Sequence, residues 1–158
     1  MAPQPLIIHE RLARWSRQLR PRFRGWSIRW AETRSADSLV EAAARSACPV
    51  VVLDLGDRPA RSLEDLDALR LASPGALSLV LDPGSHPEVP ALARELGATL
   101  VLPGVVVPPE VEALLRRWLP LAARRDEAEG WSPLPDPEVN PWDPPELLAP
   151  RSPLPTGL

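Results

Sequence analysis

Five short apolar runs, each followed by a stretch with helical spacing, constrain the fold of this chain more than any other feature. The third run reads PVVVLDL and is rich in β-branched residues, a pattern typical of a strand covered on both faces. The five runs cover residues 5–10, 26–33, 49–55, 77–81 and 99–102. The predicted helices cover residues 11–20, 35–47, 62–73, 85–96 and 109–128.

Five successive βα units predict a parallel sheet with helices on both faces, since only that arrangement buries both sides of each strand. We therefore expect an α/β, flavodoxin-like three-layer sandwich with the strand order 2-1-3-4-5. The 158 residues suffice for about one domain. No apolar run approaches the roughly 20 residues of a membrane span, and the start of the chain has no signal-peptide pattern, so we expect a cytoplasmic protein.

Local spacing also predicts how the helices begin and which faces they bury. Ser35 is expected to cap the second helix, and Ser62 with Asp65, like Ser85 with Glu88, has the spacing of a capping box. In the first helix, Leu12, Trp15 and Leu19 are expected on the sheet. The apolar face predicted for the last helix comprises Val111, Leu114, Leu115, Trp118 and Leu121.

Charge is distributed unevenly, although the net charge is only −3. All 18 basic residues are arginine, and seven of them lie within residues 11–30, where there is no acid, whereas residues 126–146 carry seven acids and no base. A solvated helix face explains the basic stretch most simply. A weaker reading is a surface that binds nucleic acid or acidic lipid, formed by Arg11, Arg14, Arg17 and Arg20.

The last 28 residues form a separate compositional region, because they contain nine of the 22 prolines. The expected organisation is an α/β domain over residues 1–130 and an extended or disordered tail over residues 131–158. The tail has too many apolar anchors for a purely solvating linker, so we expect it to dock on a protein partner or on the protein's own surface. The residues expected to make that contact are Trp131, Pro141, Trp142, Pro144, Leu147 and Leu148.

Few residues in the predicted domain, residues 1–130, have the spacing of catalytic or metal-binding motifs. Cys48 has no partner for an internal disulfide and is expected to be a packed core residue. Two histidines, His9 and His86, are too few for a zinc cluster. The segment from Asp82 to His86 is read as a turn and helix cap rather than as a nucleophile with its base.

The segment Pro49-Val-Val-Val-Leu-Asp54-Leu-Gly56 resembles the strand of bacterial response regulator receiver domains that ends in the phosphoacceptor aspartate. The resemblance covers residues 5–123 and includes the order and length of the βα units. It implies the fold of the chemotaxis response regulator, with Asp54 at the acceptor position.

Other positions depart from the receiver pattern. The acidic pair that the family places after the first strand is matched by His9 and Glu10, which leaves one carboxylate and weakens a magnesium site. The family's hydroxyl residue is matched by Asp82, and its lysine falls on or near Leu102 in a chain without lysine. The resemblance is therefore to a degenerate pseudo-receiver.

These observations predict a non-enzymatic protein-interaction or scaffold module with no cofactor. The alternative is a single-domain response regulator that accepts a phosphoryl group on Asp54 with Glu10 and Mg²⁺. The plainest interpretation of Asp54, Asp57 and Asp82 is that they are hydrated or amide-bonded carboxylates at strand ends and in loops.

Overall fold

The computed structural model describes residues 2–130, and its centre is a five-stranded sheet in which every pair of neighbouring strands is parallel. The strand order is β2-β1-β3-β4-β5, which confirms the predicted topology. The strands are β1 (Gln4–His9), β2 (Ile28–Thr33), β3 (Val50–Asp54), β4 (Leu77–Asp82) and β5 (Leu100–Pro103).

Helices cover both faces of the sheet, because each strand presents alternate apolar residues to opposite sides. One face of the sheet forms a buried cluster with the first and last helices and includes Leu6, Ile8 and Val52. The opposite face forms a second buried cluster with the second, third and fourth helices and includes Ile7, Val51 and Leu53. The helices are α1 (Arg14–Leu19), α2 (Ala36–Ala43), α3 (Pro59–Ala72), α4 (Val89–Glu95) and α5 (Pro108–Ala128), and a 3₁₀ turn (Arg20–Phe23) follows α1. Over residues 2–130, no helix is both long and apolar enough to cross a membrane.

The first helix is shorter than predicted and begins three residues later. The Glu10 carboxylate accepts the backbone N–H groups of Trp15 and Ser16, which fixes the first turn there. Trp15 and Leu19 are buried as expected. The expected packing of Leu12 on the sheet is wrong: it lies in the β1–α1 loop with 78% of its surface exposed.

Two predicted capping boxes are also wrong, whereas the cap at Ser35 is confirmed. Helix α3 begins at Pro59, a residue that favours the first helical position, so Ser62 lies inside the helix and donates its hydroxyl to the Leu55 carbonyl. Helix α4 begins after Glu88, and Ser85 instead adopts a left-handed backbone conformation with φ of 50°.

Helix α5 runs through Pro120 and buries a slightly different face from the predicted one. Leu121 is exposed, because the buried positions continue through Leu119 and Ala122. At the carboxyl end of this helix, the Asp126 carboxylate accepts the backbone N–H of Cys48 at 2.7 Å. The Cys48 side chain is buried, as predicted, and its burial raises the pKa of the thiol.

Candidate functional site

The carboxyl ends of the five parallel strands lie at one edge of the sheet and bring the predicted polar residues together. His9 ends β1, Asp54 ends β3 and Asp82 ends β4, where it pairs with Pro103 of β5. Helices α1 and α3 leave neighbouring strands toward opposite faces, so the crevice between β1 and β3 is the topological switch point at which α/β proteins bind ligands.

Glu10 holds the start of α1. Its two carboxylate oxygens accept the N–H groups of Trp15 and Ser16, each at 2.9 Å, and only 6% of the residue is exposed. Both oxygens therefore already have amide donors, and the carboxylate lies at the positive end of the helix. Glu10 serves as a helix cap in this structure.

Asp54 is half-buried in the crevice, and its Oδ1 accepts the Gly56 N–H at 3.2 Å. Its pKa is raised above the ordinary value of an aspartate, chiefly because burial penalises the charged form. The Glu10 charge raises the pKa further, and the Gly56 hydrogen bond and the Arg14 charge oppose this rise. Ionised Asp54 therefore costs the folded protein some stability.

The substitution Asp54→Asn should raise the melting temperature at pH 7, because it removes a carboxylate that is less favourably ionised in the folded than in the unfolded chain. The gain should shrink as the pH falls and vanish below 3.8, the ordinary pKa of this group, where both states are protonated. Calorimetry at several pH values measures the difference. Asp57→Asn is the control, because it changes an exposed carboxylate in the loop that follows β3. An equal or pH-independent rise in melting temperature in Asp57→Asn would contradict the assignment of the effect to the buried charge of Asp54.

Asp82, which the receiver resemblance placed at the hydroxyl position, is fully buried. Its Oδ2 accepts the His86 N–H at 2.7 Å, and its Oδ1 lies 2.8 Å from His86 Nδ1. The expected turn is present, but the contact between the Asp82 carboxylate and the His86 ring was not predicted. At the neighbouring strand end, Leu102 is half-buried and is followed by Pro103, so neither residue offers a cationic side chain.

His9 forms a buried network that was also not predicted from the sequence. Its Nε2 lies 2.8 Å from Asp65 Oδ2, and its Nδ1 lies 2.8 Å from the Thr33 hydroxyl. The imidazole therefore links the ends of β1 and β2 to the first half of α3. Asp65 was predicted to be part of a cap from its spacing to Ser62. Its contact with His9 was missed because 56 positions separate the two residues, and local patterns do not report such contacts.

The predicted basic surface is exposed at Arg11, Arg14, Arg17 and Arg20. Arg11 reaches Asp57 at 3.4 Å across the crevice. The residues expected to bind a partner (Trp131, Pro141, Trp142, Pro144, Leu147 and Leu148) lie outside the described part of the chain.

A cavity of about 370 Å³ opens at the switch point, between the β1–α1 loop and the start of α3. It combines three acidic groups with four arginines. Its lining comprises His9, Glu10, Arg11, Arg34, Asp54, Arg58, Arg61, Ser62 and Asp65.

The side chains of this edge do not fit the magnesium site that receiver domains use. Mg²⁺ needs several oxygen ligands in a strict octahedral geometry. Asp54 is available, but Glu10 is committed to α1 and Asp82 to His86. Within residues 2–130, no group of three or more His, Cys, Asp or Glu side chains is arranged to hold a metal ion.

Comparison with solved structures finds receiver domains at low sequence identity. The receiver domain of the TMAO respiratory system response regulator TorR is 18% identical, with a TM-score of 0.63, and the match covers 76% of this chain and 99% of that one. The receiver domain of the sensor histidine kinase PA1611 from Pseudomonas aeruginosa, solved with magnesium in its active-site cleft, is 14% identical (TM-score 0.59; 75% and 99% covered).

A structure described as adenylate cyclase from Rhodopirellula baltica is 13% identical, with a TM-score of 0.62, and the match covers 84% of this chain and all of that one. No protein-family model matches the sequence. No curated protein matches it either. With the strand order described above, these structural matches show that the chain has the fold of a response regulator receiver domain.

Proposed function

We propose that the protein is a non-enzymatic interaction module in which the receiver fold no longer carries out phosphoryl transfer. The observation that carries this proposal is that two strand-end carboxylates are committed to internal bonds. Glu10 caps α1 with both oxygens, and Asp82 bonds the backbone and ring of His86. Neither is free to help Asp54 hold a cation.

Phosphoryl transfer to a carboxylate depends on positive charge that neutralises the transferred group's oxygens. The strand-end position that carries lysine in the family is apolar here, and the hydroxyl position carries the acidic Asp82. A carboxylate at that position repels an incoming phosphoryl group instead of donating a hydrogen bond to it. The site therefore lacks the main groups that stabilise a phosphoryl group on Asp54.

The alternative function is that of a phosphoacceptor, and one observation favours it. Asp54 lies in an open cavity, and its Oδ2 has no hydrogen-bond partner among residues 2–130. In this alternative, Arg14 or Arg58 would have to supply positive charge that receiver domains obtain from their lysine and from carboxylate-bound Mg²⁺.

Partner binding is assigned to residues 131–158, whose six proposed contact residues are named above. Prolines reduce the conformational entropy lost on binding, and tryptophan is among the residues that contribute most to protein interfaces. The acids of this segment are also complementary to arginine surfaces.

Deletion of residues 131–158 should leave the circular dichroism spectrum and cooperative unfolding of the body unchanged, but abolish capture of the native partner in a pull-down. Trp142→Ala should weaken capture strongly, because it removes the largest anchor of the PWDP segment. Trp131→Ala tests the second anchor. Undiminished capture by the truncated protein would overturn the assignment of the tail as the binding segment.

A further inference from the structure

We propose that the crevice between β1 and β3 binds a small phosphate-bearing molecule through Arg34, Arg58 and Arg61, without a metal ion. The proposal does not depend on the tail or on the identity of a protein partner. It rests on three features of the crevice: its place in the fold, its unpaired arginines and the internal bonds of two of its three acids.

The cavity occupies the position at which α/β sheets bind ligands, outside the carboxyl ends of the strands at the switch point. Its volume of about 370 Å³ lies within the range of small-molecule pockets, which runs from roughly 300 to 1,000 Å³. The cavity is therefore large enough for a phosphate group with a compact organic portion.

Three arginines on two elements contribute the positive charge. Arg34 directly follows β2, Arg58 precedes α3 and Arg61 lies in the first turn of α3. None of the three side chains makes an ion pair or side-chain hydrogen bond with another residue in the range 2–130. Their guanidinium groups are therefore available to a ligand from outside the domain.

Two of the three acids of the same cavity are already engaged in hydrogen bonds within the domain. Glu10 accepts two backbone N–H groups and Asp65 bonds the His9 ring. Asp54, at the end of β3, keeps one carboxylate oxygen without a hydrogen-bond partner among residues 2–130, so its charge disfavours an anion beside it. An anion is thus expected near β2 and the start of α3, where the arginines lie, rather than beside Asp54.

The start of α3 adds to this preference. The helix has 14 residues, and the backbone N–H groups of its first turn lie at the positive end of the helix dipole. Arginine binds phosphate oxygens in a bidentate manner, and a doubly charged phosphate can contact several guanidinium groups at once. A phosphate group therefore matches the available donors better than a carboxylate does.

The test is a titration of the full-length protein with inorganic pyrophosphate in the presence of EDTA, followed by isothermal calorimetry and thermal shift. We expect saturable binding and a higher melting temperature, since a ligand stabilises the folded state to which it binds. The double variant Arg58→Gln/Arg61→Gln should bind at least tenfold more weakly. Arg34→Gln, on a separate element, should also weaken binding.

The matched control is Arg117→Gln/Arg124→Gln, which removes two exposed arginines of α5 and should leave affinity within about twofold. The proposal would be overturned if pyrophosphate did not bind saturably, or if both double variants lost affinity for pyrophosphate equally. So would binding that requires Mg²⁺ and disappears in Asp54→Asn, because the ligand would then occupy the phosphoacceptor position.

Two further probes decide between anion classes and between sources of phosphate. Succinate should bind much more weakly than pyrophosphate, and equal affinity would contradict the preference for phosphate. The protein should remain in the supernatant when it is sedimented with vesicles that contain phosphatidic acid. Sedimentation that depends on Arg58 and Arg61 would instead identify a lipid headgroup as the ligand.

Discussion

The substitution Trp15→Ala should lower the free energy of unfolding by about 3 to 5 kcal/mol, the usual cost of truncating a large buried aromatic side chain. Only 6% of Trp15 is exposed, and it belongs to the core cluster that contains Leu19, Phe23 and Leu115. Alanine would leave a cavity between α1, the sheet and α5. Because the protein has other tryptophans, urea unfolding is best followed by circular dichroism at the helix band.

Arg17→Ala is the matched control, since it changes an exposed residue of the same short helix. Arginine and alanine have similar helix propensities, so the expected change stays within about 0.5 kcal/mol. Equal small losses in both variants would show that α1 does not pack on the sheet as described. A large loss in both would indicate instead that the helix itself is marginal.

The substitution Asp82→Ala should destabilise the protein by about 1 to 3 kcal/mol, the cost of leaving buried donors unsatisfied. The fully buried carboxylate accepts the His86 N–H and contacts the His86 ring, and it therefore holds the β4–α4 turn with its left-handed Ser85. Asp82→Asn retains an acceptor for the backbone N–H and should cost less. Urea unfolding of the two variants and the parent measures the difference.

A loss of stability confined to Asp82→Ala would support the structural role of this carboxylate. If both variants were as stable as the parent, the contacts with His86 would contribute nothing to folding. Asp82 would then be a free strand-end carboxylate, available for chemistry.

The architecture could be predicted because its determinants are local and repeated. The continuous apolar run that became β3 (Val50–Asp54) requires cover on both faces, and five βα units with short connections leave few alternatives to this sheet order. The cap at Ser35 was predictable for the same reason, since its partner, Ser38, lies within the first turn of α2.

Several side-chain contacts of the strand-end edge were not predicted. Some join residues far apart in the chain, as His9 and Asp65 do, and others depend on where a helix begins. Ser62 and Asp65 have capping-box spacing, yet Pro59 starts α3 earlier and Asp65 bonds His9 instead. Leu12 has helical spacing with Trp15, but the bonds from Trp15 and Ser16 to Glu10 start α1 beyond it. Periodicity predicts which residues are apolar partners within an element, but not at which residue a carboxylate in the preceding loop begins the helix.

The sequence predicts departures from the receiver residue pattern as missing residue types, and the structure adds the contacts that Glu10 and Asp82 make. Glu10 could have been a free metal ligand, but its oxygens cap α1. Asp82 could have been a hydrated carboxylate, but it is buried against His86. Asp54 alone retains an open position in the crevice.

Addition of beryllofluoride and Mg²⁺ to the full-length protein tests the loss of phosphoryl chemistry most directly, because this complex mimics a phosphoryl group on an acceptor aspartate. We expect the melting temperature and the amide spectrum to be the same as with Mg²⁺ alone, since no ligand then binds the folded state. A clear rise in melting temperature that disappears in Asp54→Asn would contradict the proposed loss of phosphoryl transfer and identify the protein as a phosphoacceptor.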